Sequence, residues 1–412
     1  TISSAANTVT TDQLKAINKA TSGDITVTNN QTLLGSAKDL IEALKDVTLT
    51  ASSTVKVNGP VTLAQILELQ KSVATDLTKL TFTNTSAALT GTTAEILKAI
   101  KSAPAEYKGA IKVTDTINAD DLKTINDATT GKITLSKVSE PLSDVYNDIT
   151  AALDGITGYK GAIELKDLLN NDVLQINNVA QLTTGKLTAT LKTDTEITDA
   201  TVTALKDVNT KDDITFDAGA TIITADATAL LALSKLIPTA TFASVAKITE
   251  GAAEIGTNGK NVIDAINKLN EGDTDVTLAG TVSVASVKAI NDATTGIIDV
   301  KTVITAGGAF DLSKLGDLTE VKGLTTIDAK DGKVTNITLS IADILEANDD
   351  SVARTFDFNI IGDSKDTVEI SDVTGWNTTI VEVVGDKKYT FSNGTETITV
   401  NLTNVYDVVL PA

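Results

Sequence analysis

The chain is 412 residues long with a formal net charge of -20, and it contains no Cys, no His and no Met. Those absences exclude disulfides, Cys-ligated zinc and every catalytic constellation built on a histidine or a thiolate. The acid excess excludes phosphate-backbone recognition, which needs clustered Lys and Arg, and no apolar run reaches the ~18 residues of a membrane span.

Three stretches are almost one sentence. Residues 14–27 read LKAINKATSGDITV, residues 122–135 read LKTINDATTGKITL, and residues 287–300 read VKAINDATTGIIDV. Each sets apolar residues at helical spacing, then a Ser/Thr-Gly stop, then an alternating strand. Such long-range repetition is the mark of a stacked repeat architecture. The same spacing predicts helices over 11–20, 36–45, 62–73, 92–102, 118–128, 141–153, 171–182, 199–207, 225–236, 259–269 and 284–293. The repeat therefore returns about every 21 to 34 residues. Thr10, Thr92 and Asn118 stand where an N-cap oxygen is needed, with acids following in TTAEI and NADDL. Gly23, Gly131 and Gly296 mark helix stops.

Short β-branched strands are expected after the helices, at ITVT from Ile25, LTFT from Leu80, IKVT from Ile111, ITLS from Ile133, ITF from Ile214 and VTL from Val276. Second extended pieces are expected at VKV from Val55, TII from Thr221 and VSV from Val282. The fold class that follows is an α/β repeat solenoid of about eleven repeats over 1–317, with a helix and short parallel strands per coil.

From 318 to 412 the helix–strand alternation gives way to strand patterns, apart from a helix near Ile341. The strands are KVTNITLS, TFDFNIIG, DTVEIS, TTIVEVVG, KKYTFSNG, TITVNL and VYDVVL, with turn signals at Asp331-Gly332, Gly362-Asp363, Gly385-Asp386 and Asn393-Gly394. Trp376 and five other aromatics lie here, as do 16 acids against 7 bases. The expectation is a separate, small all-β sandwich-like domain.

Chemistry is harder to find. Glycoside hydrolysis could proceed on paired carboxylates without His, but sugar subsites want aromatic platforms and the repeats have few rings. Calcium is the one cofactor compatible with the acidic turns, at Asp328 with Asp331, Asp349-Asp350, Asp363 with Asp366, and Glu369 with Asp372. These residue types also form turns by themselves, and neither an EF-hand loop nor a GGxGxDxUx nonapeptide is present. No catalytic, cofactor-binding or metal residue is assigned, and the chain is not read as an enzyme. Asn30, Asn84 and Asn336 sit in N-x-Ser/Thr patterns, which a chain rich in Asn and Thr produces cheaply. Thr-rich strands are read as β-propensity rather than an ice-binding face.

LSIADIL from Leu339, FNIIGDSKDTVEI from Phe358, Gly375-Trp376 and KKYTFSNGTETITVNL from Lys387 resemble the C-terminal domain of large bacterial surface proteins exported by type I secretion, including repeat-rich adhesins and some surface-layer proteins. The LKAINxATTG repeats look like those of long cyanobacterial and proteobacterial surface proteins. The resemblance implies an extracellular protein of a bacterial cell surface. Independently, the absence of Met leads to the expectation that a chain starting at Thr1 is a processed, truncated or otherwise partial product. The function expected is a structural protein self-assembling into a surface layer, sheath or filament, with its own copies as partners. The alternative is an adhesin or stalk segment that binds a cell-surface or glycan ligand such as a surface polysaccharide. Nucleic acid and membrane spans are not expected.

Overall fold

The structure, a computed structural model, describes residues 1–412 apart from 3–7, 29–30, 50–52, 73–79, 84–86, 101–106, 108, 169–172, 192–195, 218–222, 244, 252, 270–271, 306–307, 348–354, 384–385, 406 and 411–412. Expectations at Asn30, Asn84, Asp349-Asp350, Gly385 and Thr221 fall outside the described residues. It is an α/β architecture of many helices and mostly parallel strands, in several small sheets and one long one. Two compact units form, one of residues 1–168 with 175–189 and one of residues 169–174 with 190–412.

In the first unit the helices are Thr11–Ala20, Ala37–Ala43, Leu63–Ser72, Thr93–Ile100, Ala119–Asp127 and Tyr146–Leu153. Each packs beside the next. One inward position, the fourth residue of each helix, recurs along this row: Leu14, Leu40, Ile66, Ile96, Leu122 and Ile149 are all fully buried. Each such side chain contributes about 2 kcal/mol of apolar burial, and every layer needs its neighbours to obtain it. The caps anticipated at Thr10 and Asn118 hold: Thr10 Oγ1 accepts from Gln13 N in a capping box, and Asn118 Oδ1 accepts from Asp121 N.

Strands of successive repeats pair in parallel. Thr8–Thr10, Thr32–Gly35, Thr54–Val57 and Leu80–Phe82 make one sheet. Ile25–Val27 pairs Val47–Leu49, and Leu89–Gly91, Ile111–Val113 and Ile133–Leu135 make another. Leu142–Asp144 pairs Ile163–Leu165. Parallel neighbours need a crossover of a dozen residues or more, and the helix of each repeat supplies it. One difference from the periodicity lies at 141–145: Leu142–Asp144 is a strand, and the helix starts at Tyr146. Pro141 cannot donate a backbone hydrogen bond, and Leu142 is buried against Ile163 of the adjoining repeat.

The second unit carries helices Asp199–Ala204, Ala227–Leu236, Lys260–Leu269, Val284–Asn291 and Ile341–Glu346. One long sheet orders Ile223–Asp226, Val245–Gly251, Asp275–Ser283, Ile298–Ile304, Thr326–Asp328, Thr355–Ile361 and Thr397–Thr403, every neighbouring pair parallel. Asp386–Ser392 and Asn377–Val383 then extend it antiparallel. A second parallel sheet holds Gly308–Asp311, Thr335–Ser340, Thr367–Ser371 and Asp407–Val409. The strands expected after residue 318 all form, and their pairing is mostly parallel. Ladder pairing runs across residue 318 without a break, whereas a sandwich would pair antiparallel throughout. Among the described residues no helix is long and apolar enough to cross a membrane.

Candidate functional site

The near-identical sentences turn out to spell contacts between adjacent repeats. In the TTG signature the first Thr is buried. Its hydroxyl donates backward to a carbonyl of the preceding repeat: Thr129 to Tyr107 O at 2.6 Å, Thr183 to Gly161 O at 2.6 Å, Thr294 to Thr274 O at 2.7 Å. The same oxygen accepts from the glycine amide two residues on, at Gly131 (2.9 Å), Gly185 (2.7 Å) and Gly296 (3.0 Å). A hydroxyl is the smallest group that can both donate and accept, so Thr satisfies two backbone groups with one atom. The glycine is required by proximity. A Cβ at Gly131 would overlap the carbonyl of Gly109, one at Gly185 that of Gly161, and one at Gly296 that of Thr274.

The Asn of the same sentence reaches forward. Asn18 Nδ2 donates to Lys45 O at 2.6 Å and Asn126 Nδ2 to Asp154 O at 2.8 Å. Asn291 Nδ2 donates to Asp317 O at 3.1 Å while its Oδ1 accepts from Asp317 N at 2.9 Å. Gln70 does likewise, with Nε2 on Ala99 O at 2.9 Å. Lys45, Asp154 and Ala99 lie at or just past the C-terminus of the next helix, where carbonyls lack intrahelical partners, whereas Asp317 lies in the turn that follows Leu312–Lys314.

Carboxylates make a third kind of link, at helix N-termini. Asp115 Oδ1 accepts from Thr93 N at 2.7 Å and from the Thr93 hydroxyl at 2.9 Å. Burial pushes the Asp115 carboxyl upward, but those two donors, its own amide and Lys137 outweigh it and hold the group below its ordinary value. Glu250, 3% exposed, accepts from Thr228 N at 3.1 Å and Gly251 N at 2.9 Å. Here burial wins, helped by the charges of Asp226 and Glu254, and the carboxyl is raised.

In the acidic turns considered for calcium, one oxygen of each of several carboxylates shapes the chain, while Asp331 Oδ2 and Asp363 Oδ2 are buried without a hydrogen-bond partner. Asp328 Oδ1 accepts from Lys330 N, Asp331 Oδ1 from Lys333 N, and Asp363 Oδ1 from Lys365 N. Asp366 is buried and divides its two oxygens between Thr335 N (2.9 Å) and Asp363 N (2.8 Å). Asp372 adopts a left-handed φ of 58°, and Glu369 is exposed on its strand. Asn336 is exposed, with Oδ1 accepting from the Thr367 hydroxyl at 2.8 Å.

Among the described residues one carboxylate group has metal-like spacing. Asp120, Asp144 and Asp148 each place an oxygen within 4.8 Å of the others. These hard oxygens suit a cation such as calcium, and the first turns of two helices also favour negative charge there without one. In the sequence Asp144 and Asp148 follow Asp120 by about one repeat, and the packing of adjacent repeats brings the three together. An open groove of about 620 Å³ runs past Tyr146, Thr150, Asp154, Asn178 and Gln181, with Asn178 Nδ2 donating to the Tyr146 hydroxyl at 3.2 Å.

Comparison with known proteins adds no identity: no protein-family description, curated protein or solved structure matches this chain.

Proposed function

We propose that this chain is an extracellular structural protein that self-assembles into a surface layer, sheath or filament, its repeats stacked as a solenoid. What supports the reading is the use made of the recurring residues. Thr129, Thr183, Thr294, Asn18, Asn126 and Asn291 spend their polar atoms on the backbone of a neighbouring repeat. A sequence that repeats in order to hold one layer to the next is maintaining a shape. The bacterial cell surface and type I export come from the resemblance of the last 75 residues or so, and belong to the same proposal. Electron microscopy of the purified chain at high concentration, with and without calcium, tests it. Regular arrays or fibres are expected, and monomers under every condition would refute it.

A ligand-binding stalk or adhesin is the second reading, favoured by the groove past Tyr146, Asn178 and Gln181, whose hydroxyl and amide groups suit a sugar. Glycan-array binding that is lost in Asn178→Ala, by a protein that stays monomeric, would select it.

A further inference from the structure

The long sheet of the second unit ends on Asn377–Val383, which pairs with Asp386–Ser392 in uninterrupted register on one side. Among the described residues no strand pairs with its other side. Edges of this length are normally blunted by a Lys, a Pro, a bulge or an inward charge. Asn377–Val383 reads NTTIVEV, with no Lys or Pro; its one charge, Glu382, shares the face of Ile380 but is exposed and faces Lys387 across the ladder at 3.9 Å. In a chain of net charge -20, this edge is locally neutral.

The row of core side chains is also unfinished here. Phe358, Val400 and Tyr389 lie side by side across three strands, each at most 4% exposed. Ile380 stands next in that row, opposite Tyr389, and is 48% exposed. On the reverse face Val381 is 50% exposed. One more strand would cover both.

We infer that the edge Asn377–Val383 pairs antiparallel with the same edge of a second copy of this chain, about a two-fold axis through Ile380. This deepens the self-assembly reading and rests on it. The strand is complementary to itself in this register: Ile380 meets Ile380, Thr379 meets Val381, and Thr378 meets Glu382. No like charges oppose, because the two Glu382 side chains lie four residues apart along the strand, about 13 Å, beyond a physiological Debye length of about 8 Å. Pairing supplies about six to eight backbone hydrogen bonds and completes the core row on both copies. Two acidic chains can meet at this edge because it is neutral, and a basic partner finds no unpaired charge to answer.

The absence of Cys makes the register directly testable. In this pairing residue 380 lies opposite itself at a Cα separation of about 5 Å, within disulfide range. Residue 381 is about 8 Å from its copy, and residue 378 about 13 Å, both too far. The full chain carrying Ile380→Cys, Val381→Cys or Thr378→Cys is oxidised, and the wild type is followed by sedimentation across concentration. Expected are concentration-dependent dimers of the wild type, near-complete cross-linking of Ile380→Cys, and little of the other two. Val381→Lys, folded by circular dichroism, is expected to weaken association about tenfold or more by charging the edge. Equal cross-linking at all three positions, or none at 380, overturns the register. Undiminished association of Val381→Lys overturns the edge contact and leaves self-assembly by another surface standing. A wild type monomeric at every concentration overturns both, and association seen only with an added basic peptide overturns the choice of a second copy.

Discussion

Thr129→Val tests the central contact with little change of shape. Valine keeps the β-branch and volume of Thr129, which is 8% exposed, and removes only the hydroxyl. Its one donation, shared between Tyr107 O at 2.6 Å and Gly109 O at 3.1 Å, disappears, as does the bond accepted from Gly131 N at 2.9 Å. Each lost bond leaves a backbone group in an interior that water reaches poorly. At about 1 kcal/mol or more apiece, the expected destabilisation is about 2 kcal/mol. Thr21 supplies the internal control. It occupies the same place in its repeat and accepts from Gly23 N at 3.1 Å, but it is exposed. Thr21→Val should therefore cost about 0.5 kcal/mol or less. Urea unfolding of the full chain by circular dichroism gives the pair of values. Amide exchange at residues 107–113 and 129–135 locates the loss, because long repeat arrays need not unfold in one step. Equal costs at the two positions, or a loss spread evenly over the chain, would refute the claim that the buried Thr joins neighbouring repeats.

Gly185→Ala should cost about 3 kcal/mol, since the new methyl would overlap the Gly161 carbonyl, while Gly23→Ala, whose nearest neighbour is Thr21 Oγ1 at 3.6 Å, should be near neutral; thermal unfolding of the two variants checks this. Asn291→Leu removes both of its bonds to Asp317 and orphans Asp317 N, while Asp317 O keeps the Glu320 amide at 3.2 Å, for an expected loss of about 1 to 2 kcal/mol with faster exchange around residues 312–318. Glu250 gives a pH signature. Its folded carboxyl is raised above the ordinary 4.5, so the native state holds the proton to higher pH than the unfolded chain and loses stability as pH rises through the folded value. Glu250→Gln does not titrate, so its stability relative to wild type should climb from pH 4 to pH 8; a flat or falling difference in denaturation midpoint would contradict the raised carboxyl.

Local elements were legible because their physics is local. Thr11–Ala20 was delimited by its cap at Thr10 and its apolar spacing, and the strands after residue 318 by alternation and turn residues. At Leu142–Asp144 a helical spacing yielded to a parallel partner one repeat away. The candidate cation group was missed for a related reason: Asp120, Asp144 and Asp148 come together only once adjacent repeats are packed.

Composition and repetition in the chain alone excluded histidine and thiol chemistry and established a helix–strand unit used many times. What the recurring letters are for was decided in three dimensions. Thr129 and Asn126 look like ordinary stop and cap residues until the neighbouring backbone is in place, because their partners lie 22 to 28 residues away. Strand direction was decided there as well: alternation marks a strand, but it carries no information on whether the next strand runs parallel, as from Ile298–Ile304 to Thr326–Asp328, or turns back, as at Asn377–Val383.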